Sequence, residues 1–405
     1  MKRCRVAVTG LGVVSSIGIG RQAFWQALLA GQSGISDVTA FDTTDFPTHR
    51  GGEVKDFHPE KFISPDKLKR YNRASQFAIA AAKMALQDAE LNSSSLVGSG
   101  KVGVLIGTTM AETQALESMD KIWMQKGAQS IPPRLVTQYP GNMIGAYVAE
   151  VVGLVGLNVV IGTACAAGNY ALAYGYDLLR LGRADIVIAG GTDAFSRVAF
   201  TGFNRLLAVA PERCQPFDKH RKGMMVGEGA GMLILERADD AVARGVRVYA
   251  EILGYGLSCD ASHMTIPEME GMAHAMRNAV NDAEISLDDV GYVSAHGTGT
   301  SANDRTECAA LRKVFGNQID HTPVSSIKSM IGHTMGAASA LEAIACVLAV
   351  KHNQVPPTIN FETPDPDCDI DCIPNVGRSH RVNVALNDSF AFGGNNACLA
   401  FGKSS

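Results

Sequence analysis

Short apolar runs rich in Val and Ile alternate along the chain with longer stretches in which apolar residues recur every three or four positions. The first pattern marks buried strands and the second marks amphipathic helices. Strands are predicted over residues 5–9, 102–106, 158–161, 186–189, 231–235, 248–254, 290–295, 322–325, 383–387 and 397–401. Helices are predicted over residues 22–30, 72–89, 141–151, 166–181, 269–283, 304–315 and 337–351. This alternation belongs to α/β folds, in which helices cover the faces of largely buried sheets.

The order of elements repeats. The strand and turn over 102–107 parallel those over 290–297, and 159–165 with its alanine-rich helix parallels 324–333 with another. The segment 186–195 parallels 384–393, and 231–236 parallels 397–402. The chain therefore divides into similar halves, 1–246 and 247–405, with no low-complexity linker. Two such units stacked face to face would bring their corresponding turns to a shared centre. The Pro- and Asp-rich stretch 362–374 reads as a surface loop.

Composition narrows the class. The 405 residues are 46% apolar and 19% charged, an ordinary globular balance with room for a sizeable core. A net charge of -4 argues against a general nucleic-acid binder. The longest apolar runs are strand-length and interrupted, so no membrane span is expected. The basic start, Met-Lys-Arg-Cys-Arg, leads into a short glycine-broken run and reads as a first strand rather than a signal peptide. Nine widely spaced cysteines fit reduced thiols in the cytoplasm. Cys368 and Cys372 match no zinc spacing, and no metal is expected.

The densest chemistry lies in Asn158-Val-Val-Ile-Gly-Thr-Ala-Cys-Ala-Ala-Gly-Asn169. The apolar run stops at Gly162 and a helix begins near Cys165, so the thiol belongs at a strand-to-helix turn. Free N–H groups and the helix dipole there favour negative charge, which predicts a thiolate-leaning nucleophile. The small neighbours Ala164, Ala166, Ala167 and Gly168 leave room for a substrate. A buried structural cysteine is the other reading. Three more turns carry polar residues at strand ends: Ala295-His-Gly-Thr-Gly-Thr300, Ser325-Ser-Ile-Lys-Ser-Met-Ile-Gly-His333 and Asn387-Asp-Ser-Phe-Ala-Phe-Gly-Gly-Asn-Asn396. Singly, each has a bland reading: a core histidine, a tight or phosphate-cradling turn, a surface lysine, a hairpin glycine pair. Gly10-Leu-Gly12 opens no dinucleotide fingerprint, because Ser15 stands at the third glycine position.

These four motifs, in this order, resemble the β-ketoacyl-(acyl carrier protein) synthases, the elongating Cys-His-His condensing enzymes of fatty acid and polyketide synthesis. The likeness spans the chain, from Val6-Ala-Val-Thr-Gly-Leu-Gly-Val-Val-Ser15 to Gly393-Gly-Asn-Asn396, and includes Gly-Met-Met-Val-Gly-Glu-Gly-Ala-Gly over 223–231. It implies a thiolase-like α/β fold in α-β-α-β-α layers and a decarboxylative Claisen condensation of a cysteine-bound acyl group with a malonyl thioester. A thiolase would carry a second cysteine in the last glycine-rich loop, where this chain has Asn395 and Asn396. An initiating synthase would carry Asn where this chain has His333. A non-catalytic chain-length-factor subunit would lack Cys165.

The resemblance also implies roles. Cys165 would hold the acyl group, and His296 and His333 would stabilise charge on the extender thioester. Lys328 would orient the site and pair with Glu342, and backbone N–H groups of Cys165 and Phe392 would form an oxyanion hole. Thr298 and Thr300 would meet a phosphopantetheine arm that arrives on the carrier protein, so the enzyme needs no cofactor of its own. Phe392, Gly393 and Gly394 would form a gate, and Met110 would limit acyl-chain depth. Lys67, Lys69, Arg70 and Arg205 are candidates for the acidic carrier's docking surface. A homodimer is expected, or a heterodimer with a related chain-length-factor subunit. Ala391 and Asn395 stand where the common family form has Gly and Thr. Ala391, which takes positive φ less easily than Gly, is expected to alter the gate and to mark a specialised synthase.

Overall fold

The computed structural model describes residues 4–92 and 101–404. Met1, Lys2 and Arg3 of the basic start therefore lie outside the described residues. The central sheet contains β1 (Val6–Ser15), β2 (Val102–Gly107), β3 (Leu157–Ile161), β4 (Ile186–Asp193) and β5 (Gly229–Arg237). It continues with β6 (Ala250–Cys259), β7 (Val290–Ser294), β8 (Val324–Ser325), β9 (Val384–Phe390) and β10 (Asn395–Gly402). Each strand overlaps a predicted apolar run, though β8 keeps only two of its four predicted residues and β6 and β9 begin later and run further than predicted. A short strand, Gly18–Ile19, folds back on β1.

The order along the sheet is β8-β7-β9-β10-β6-β1-β5-β4-β2-β3. Counted outward from the middle, both runs of five place their strands alike: first, fifth, fourth, second, third. Directions match too. The β2, β3 and β4 group is parallel, as is the β7, β8 and β9 group, and the remaining neighbours are antiparallel.

Helices complete the layers. α1 (Arg73–Asp88) covers one face of the β1–β5 run, and α3 (Met269–Ala283) covers the β6–β10 run with α4 (Ser301–Phe315) beside it. Between the runs lie α2 (Ala167–Arg180) and α5 (Ala338–His352), packed on each other and on strands of both. The α-β-α-β-α arrangement of the thiolase-like fold follows. The two runs face each other across these helices. They also share an edge, because β1 pairs with β6 at Val6↔Ile252, Ala7↔Glu251 and Val8↔Ala250. A strand's neighbour is a tertiary choice that its own pattern does not encode.

Residues Met335–His352 are apolar and long enough to cross a membrane, yet 89% of the stretch is buried as the core helix of this fold. Gly10 and Gly12 also have a packing reason. A Cβ at either would stand 2.1 Å from Ala85 O or 1.8 Å from Ala81 O, so their absence of side chain lets α1 lie directly on β1.

Candidate active site

Strand ends deliver the polar turns. Cys165 lies on the single 3₁₀ turn Ala164–Ala166 between β3 and α2, buried, with Ala164 at a φ of 48°. Its carbonyl accepts the Ser389 hydroxyl of β9 at 3.1 Å. His296 follows β7. The N–H groups of His296 and Gly297 donate to the buried Glu307 carboxylate of α4 at 2.7 and 2.8 Å, which fixes the loop. Lys328 and His333 follow β8. The His333 N–H donates to Met225 O at 2.6 Å, and its carbonyl accepts Gly227 N–H at 2.9 Å. Ligating atoms of Cys165, His296 and His333 lie within 4.8 Å of one another, and the two imidazoles stand edge to face with centroids 5.4 Å apart.

The hydrogen bonds set the protonation of this group. His333 Nδ1 accepts the Met335 N–H at 3.1 Å, so the proton of the neutral ring is assigned to Nε2. His296 Nδ1 is buried and has no hydrogen-bond partner among the described residues. Burial, then the Lys328 ammonium, hold both imidazoles well below the usual histidine range, and His333 adds to the effect on His296. Both rings are therefore neutral at pH 7. Lys328 and Glu342 are fully buried and in direct contact. Burial raises the Glu342 carboxyl, with Lys328 pulling against it.

Cys165 departs from the thiolate expectation. Burial pushes its thiol up to about 11, against the downward pull of Lys328 and of the Phe392 and Cys165 backbone N–H groups. The helix end acts as expected in sign, but desolvation is the larger effect. The resting group is a thiol. Three donors this close suggest a metal site, but His333 uses Nδ1 on Met335 and carries hydrogen on Nε2. That ring has no lone pair left to ligate, and the set does not fit a metal.

A cleft opens onto the three side chains. Its walls include Phe203, Met224, Ile266, Thr298, Thr300 and Phe392. The Thr298 and Thr300 hydroxyls are 2.9 Å apart, and Thr300 also caps α4. Phe392 is partly exposed, with its ring 5.7 Å from that of Phe203. Gly393 and Gly394 take φ of 83° and 76°, and Gly394 lines the cleft. Ala391 has a φ of -106°, so a side chain there costs no backbone strain in this conformation.

Met110 does not line the cleft. It packs in an apolar cluster with Phe195, Phe200, Phe203 and Met224, of which Phe203 and Met224 also line the cleft. Lys67 and Arg70 both pair with Glu150 at 3.5 and 2.9 Å, Lys69 is exposed, and none of the three lines the cleft. Arg205 is exposed at the end of the helix Arg197–Arg205, two residues beyond the cleft-lining Phe203. Sequence reasoning missed Phe203 and the 263–267 segment, which reach the cleft by tertiary packing and carry no local motif, and it quoted Met224 within the 223–231 motif without placing it in the cleft.

A buried thiol beside two neutral imidazoles, at strand ends of a duplicated α/β sheet, defines a condensing enzyme of the thiolase-like fold. Residues 3–241 match the model of the beta-ketoacyl synthase N-terminal domain and residues 249–362 that of its C-terminal domain, so the chain belongs to the beta-ketoacyl synthase family. A 3-oxoacyl-[acyl-carrier-protein] synthase 2 of Synechocystis sp. is 40% identical over 100% of this chain and 99% of its own. The structure of the ishigamide ketosynthase/chain length factor matches with TM-score 0.97 and 42% identity, covering 100% of both chains. A type II polyketide ketosynthase, solved with its acyl-carrier protein and bound to a hexaketide, matches with TM-score 0.91 and 35% identity, again over 100% of both. The chain is a ketosynthase, an acyltransferase of Claisen condensation in fatty acid or polyketide elongation.

Proposed function

We propose that Cys165 accepts an acyl group from a carrier-protein thioester and that His296 and His333 then serve its condensation with malonyl-(acyl carrier protein). In the first step the thiol sulfur bonds the acyl carbon, and the thiol proton ends on the departing phosphopantetheine sulfur. In the second, the malonyl carboxylate leaves as CO2 and charge collects on the thioester oxygen. The Nε2–H of His333, with a second N–H from His296, stabilises that charge. The resulting carbanion attacks the acyl carbonyl, whose oxyanion is held by the Cys165 and Phe392 N–H groups, and the Cys165 sulfur is expelled. Lys328, braced by Glu342, supplies positive charge without entering the cleft.

The observation that carries this reading is the Met335 N–H bond to His333 Nδ1, which assigns the ring proton to Nε2. An imidazole committed by Met335 to present Nε2–H is a donor, which is what a developing oxyanion requires. Thr298 and Thr300 contact the phosphopantetheine arm, Gly393 and Gly394 let the Phe392 loop move, and Met110 backs the apolar pocket through Met224. Arg205, with Lys67, Lys69 and Arg70, meets the acidic carrier. The enzyme needs no cofactor of its own and acts in the cytoplasm. It works as a dimer of two copies; partnership with a related subunit, of the kind seen in the ishigamide ketosynthase/chain length factor, is the alternative.

Intact-protein mass spectrometry with acyl-carrier protein tests the assignment. One acyl adduct is expected on the native chain and none on Cys165→Ala. His296→Ala and His333→Ala are expected to keep the adduct and lose malonyl decarboxylation by roughly 100-fold or more, the scale of a lost oxyanion donor. An adduct persisting in Cys165→Ala would sink the nucleophile assignment.

A further inference from the structure

Asp193, the last residue of β4, is fully buried, and its carboxylate serves two turns at once. From the turn after β2, the Thr108 hydroxyl and the Met110 N–H reach Oδ1 at 2.7 and 2.8 Å, and the Thr109 N–H reaches Oδ2 at 2.8 Å. From the opposite half of the chain, the Gly336 N–H reaches Oδ2 at 2.6 Å. The two turns lie back to back, since a Cβ on Gly336 would stand 2.6 Å from Thr108 Cα.

Four donors converging on one side chain call for a group that only accepts, which a carboxylate is and an amide is not. Gly336 directly follows Met335, the residue whose N–H is spent on His333 Nδ1. Met335 holds a φ of 55°, a backbone conformation that a side-chain-bearing residue keeps only when its surroundings impose it. The neighbouring restraint on the Gly336 peptide is the Asp193 carboxylate.

We infer that Asp193 is a positioning residue for His333: by anchoring the Gly336 N–H it keeps the Met335 N–H on Nδ1 and the imidazole proton on Nε2. The consequence for catalysis rests on the assignment of His333 to the malonyl step, whereas the tautomer does not. In Asp193→Asn, one oxygen becomes an NH2 that faces donors, so the Gly336 or Thr109 contact is lost and the Met335 turn relaxes.

Nitrogen NMR of the His333 ring and the two half-reactions test this together. In Asp193→Asn, the ring nitrogens are expected to shift from a single Nε2–H form to a mixture. Malonyl decarboxylation should fall roughly 10- to 100-fold, as when an orienting partner is removed, while acylation of Cys165 by a short acyl thioester stays within about threefold. Asp193→Glu, which keeps the carboxylate, should recover part of the loss. Thr108→Val removes a different bond to the same carboxylate. It should leave the tautomer unchanged, which separates positioning from general destabilisation. An unchanged Nε2–H signal in folded Asp193→Asn would overturn the inference, as would an equal tautomer change in Thr108→Val. A changed tautomer with decarboxylation intact would instead count against the role given to His333. Should Asp193→Asn not fold, the contrast between Asp193→Glu and Thr108→Val decides: a mixed tautomer in the second alone overturns the inference.

Discussion

Cys165 keeps its proton at neutral pH because the cleft that protects an acyl-enzyme also desolvates the free thiol. Its alkylation by iodoacetamide is therefore expected to climb steadily between pH 8 and about 10, without the plateau near neutrality that an activated thiolate gives. The histidines behave oppositely in sign and alike in cause. Their folded values lie well below 6.5, so they remain neutral while the unfolded chain takes up protons. Stability from keeping them neutral is present above pH 6.5 and is lost as pH falls below it. Malonyl decarboxylation by the acyl-free enzyme is expected to be flat through neutrality, with its acid limb well below pH 6.5. A limb centred at 6.5 or higher would mean that the buried imidazoles are not held neutral. Residue identities were legible because Cys165, His296, Lys328 and His333 stand on short turns at strand ends. Their protonation was not, since burial is a property of the assembled molecule. The same holds for Asp193 and Glu307, acidic residues whose roles depend on which N–H groups point at them.

At the scale of elements, the segment after β9 owes its shape to two glycines that do different things. A Cβ on Gly393 would meet nothing closer than 3.5 Å, so Gly393→Ala adds only backbone strain, about 1–2 kcal/mol. A Cβ on Gly394 would stand 2.7 Å from the Asp260 side chain and 2.9 Å from its backbone, so Gly394→Ala also forces this loop away from β6. Thermal melts should show a small loss for the first and a larger one for the second, and condensation should slow in both. Equal losses would mean that steric contact at Asp260 matters little. The ten strands were legible as apolar runs, and the seven predicted helices appear with ends shifted by at most three residues. The helices Thr113–Lys126 and Arg197–Arg205 escaped notice. In the first, Ala115, Met119 and Ile122 recur at helical spacing, but Leu116, Trp123 and Met124 are exposed, so the helix covers little of the core.

For the whole molecule, the two ends of the sheet are unlike. β8 is buried, whereas β3 begins with exposed Leu157 and Asn158, just after Val155 at 88% exposure. An apolar strand with an uncovered edge invites pairing, and a second copy of the chain would cover it. Analytical ultracentrifugation is expected to give twice the chain mass, and Leu157→Glu to shift the protein towards monomer. A monomer for the native chain would remove this surface from the assembly. The division of labour between the halves has a further consequence. Cys165 comes from the first and both histidines from the second, and their spacing is set where α2 meets α5. There Gly168 lies so close that a Cβ would stand 2.7 Å from Ala340 N. The distance between nucleophile and oxyanion donors is thus stored in a backbone-to-backbone contact rather than in either half. A hybrid enzyme joined from the front of one relative and the back of another would inherit complete chemistry from both parents, and still misalign its catalytic atoms unless that helix crossing came from a single parent.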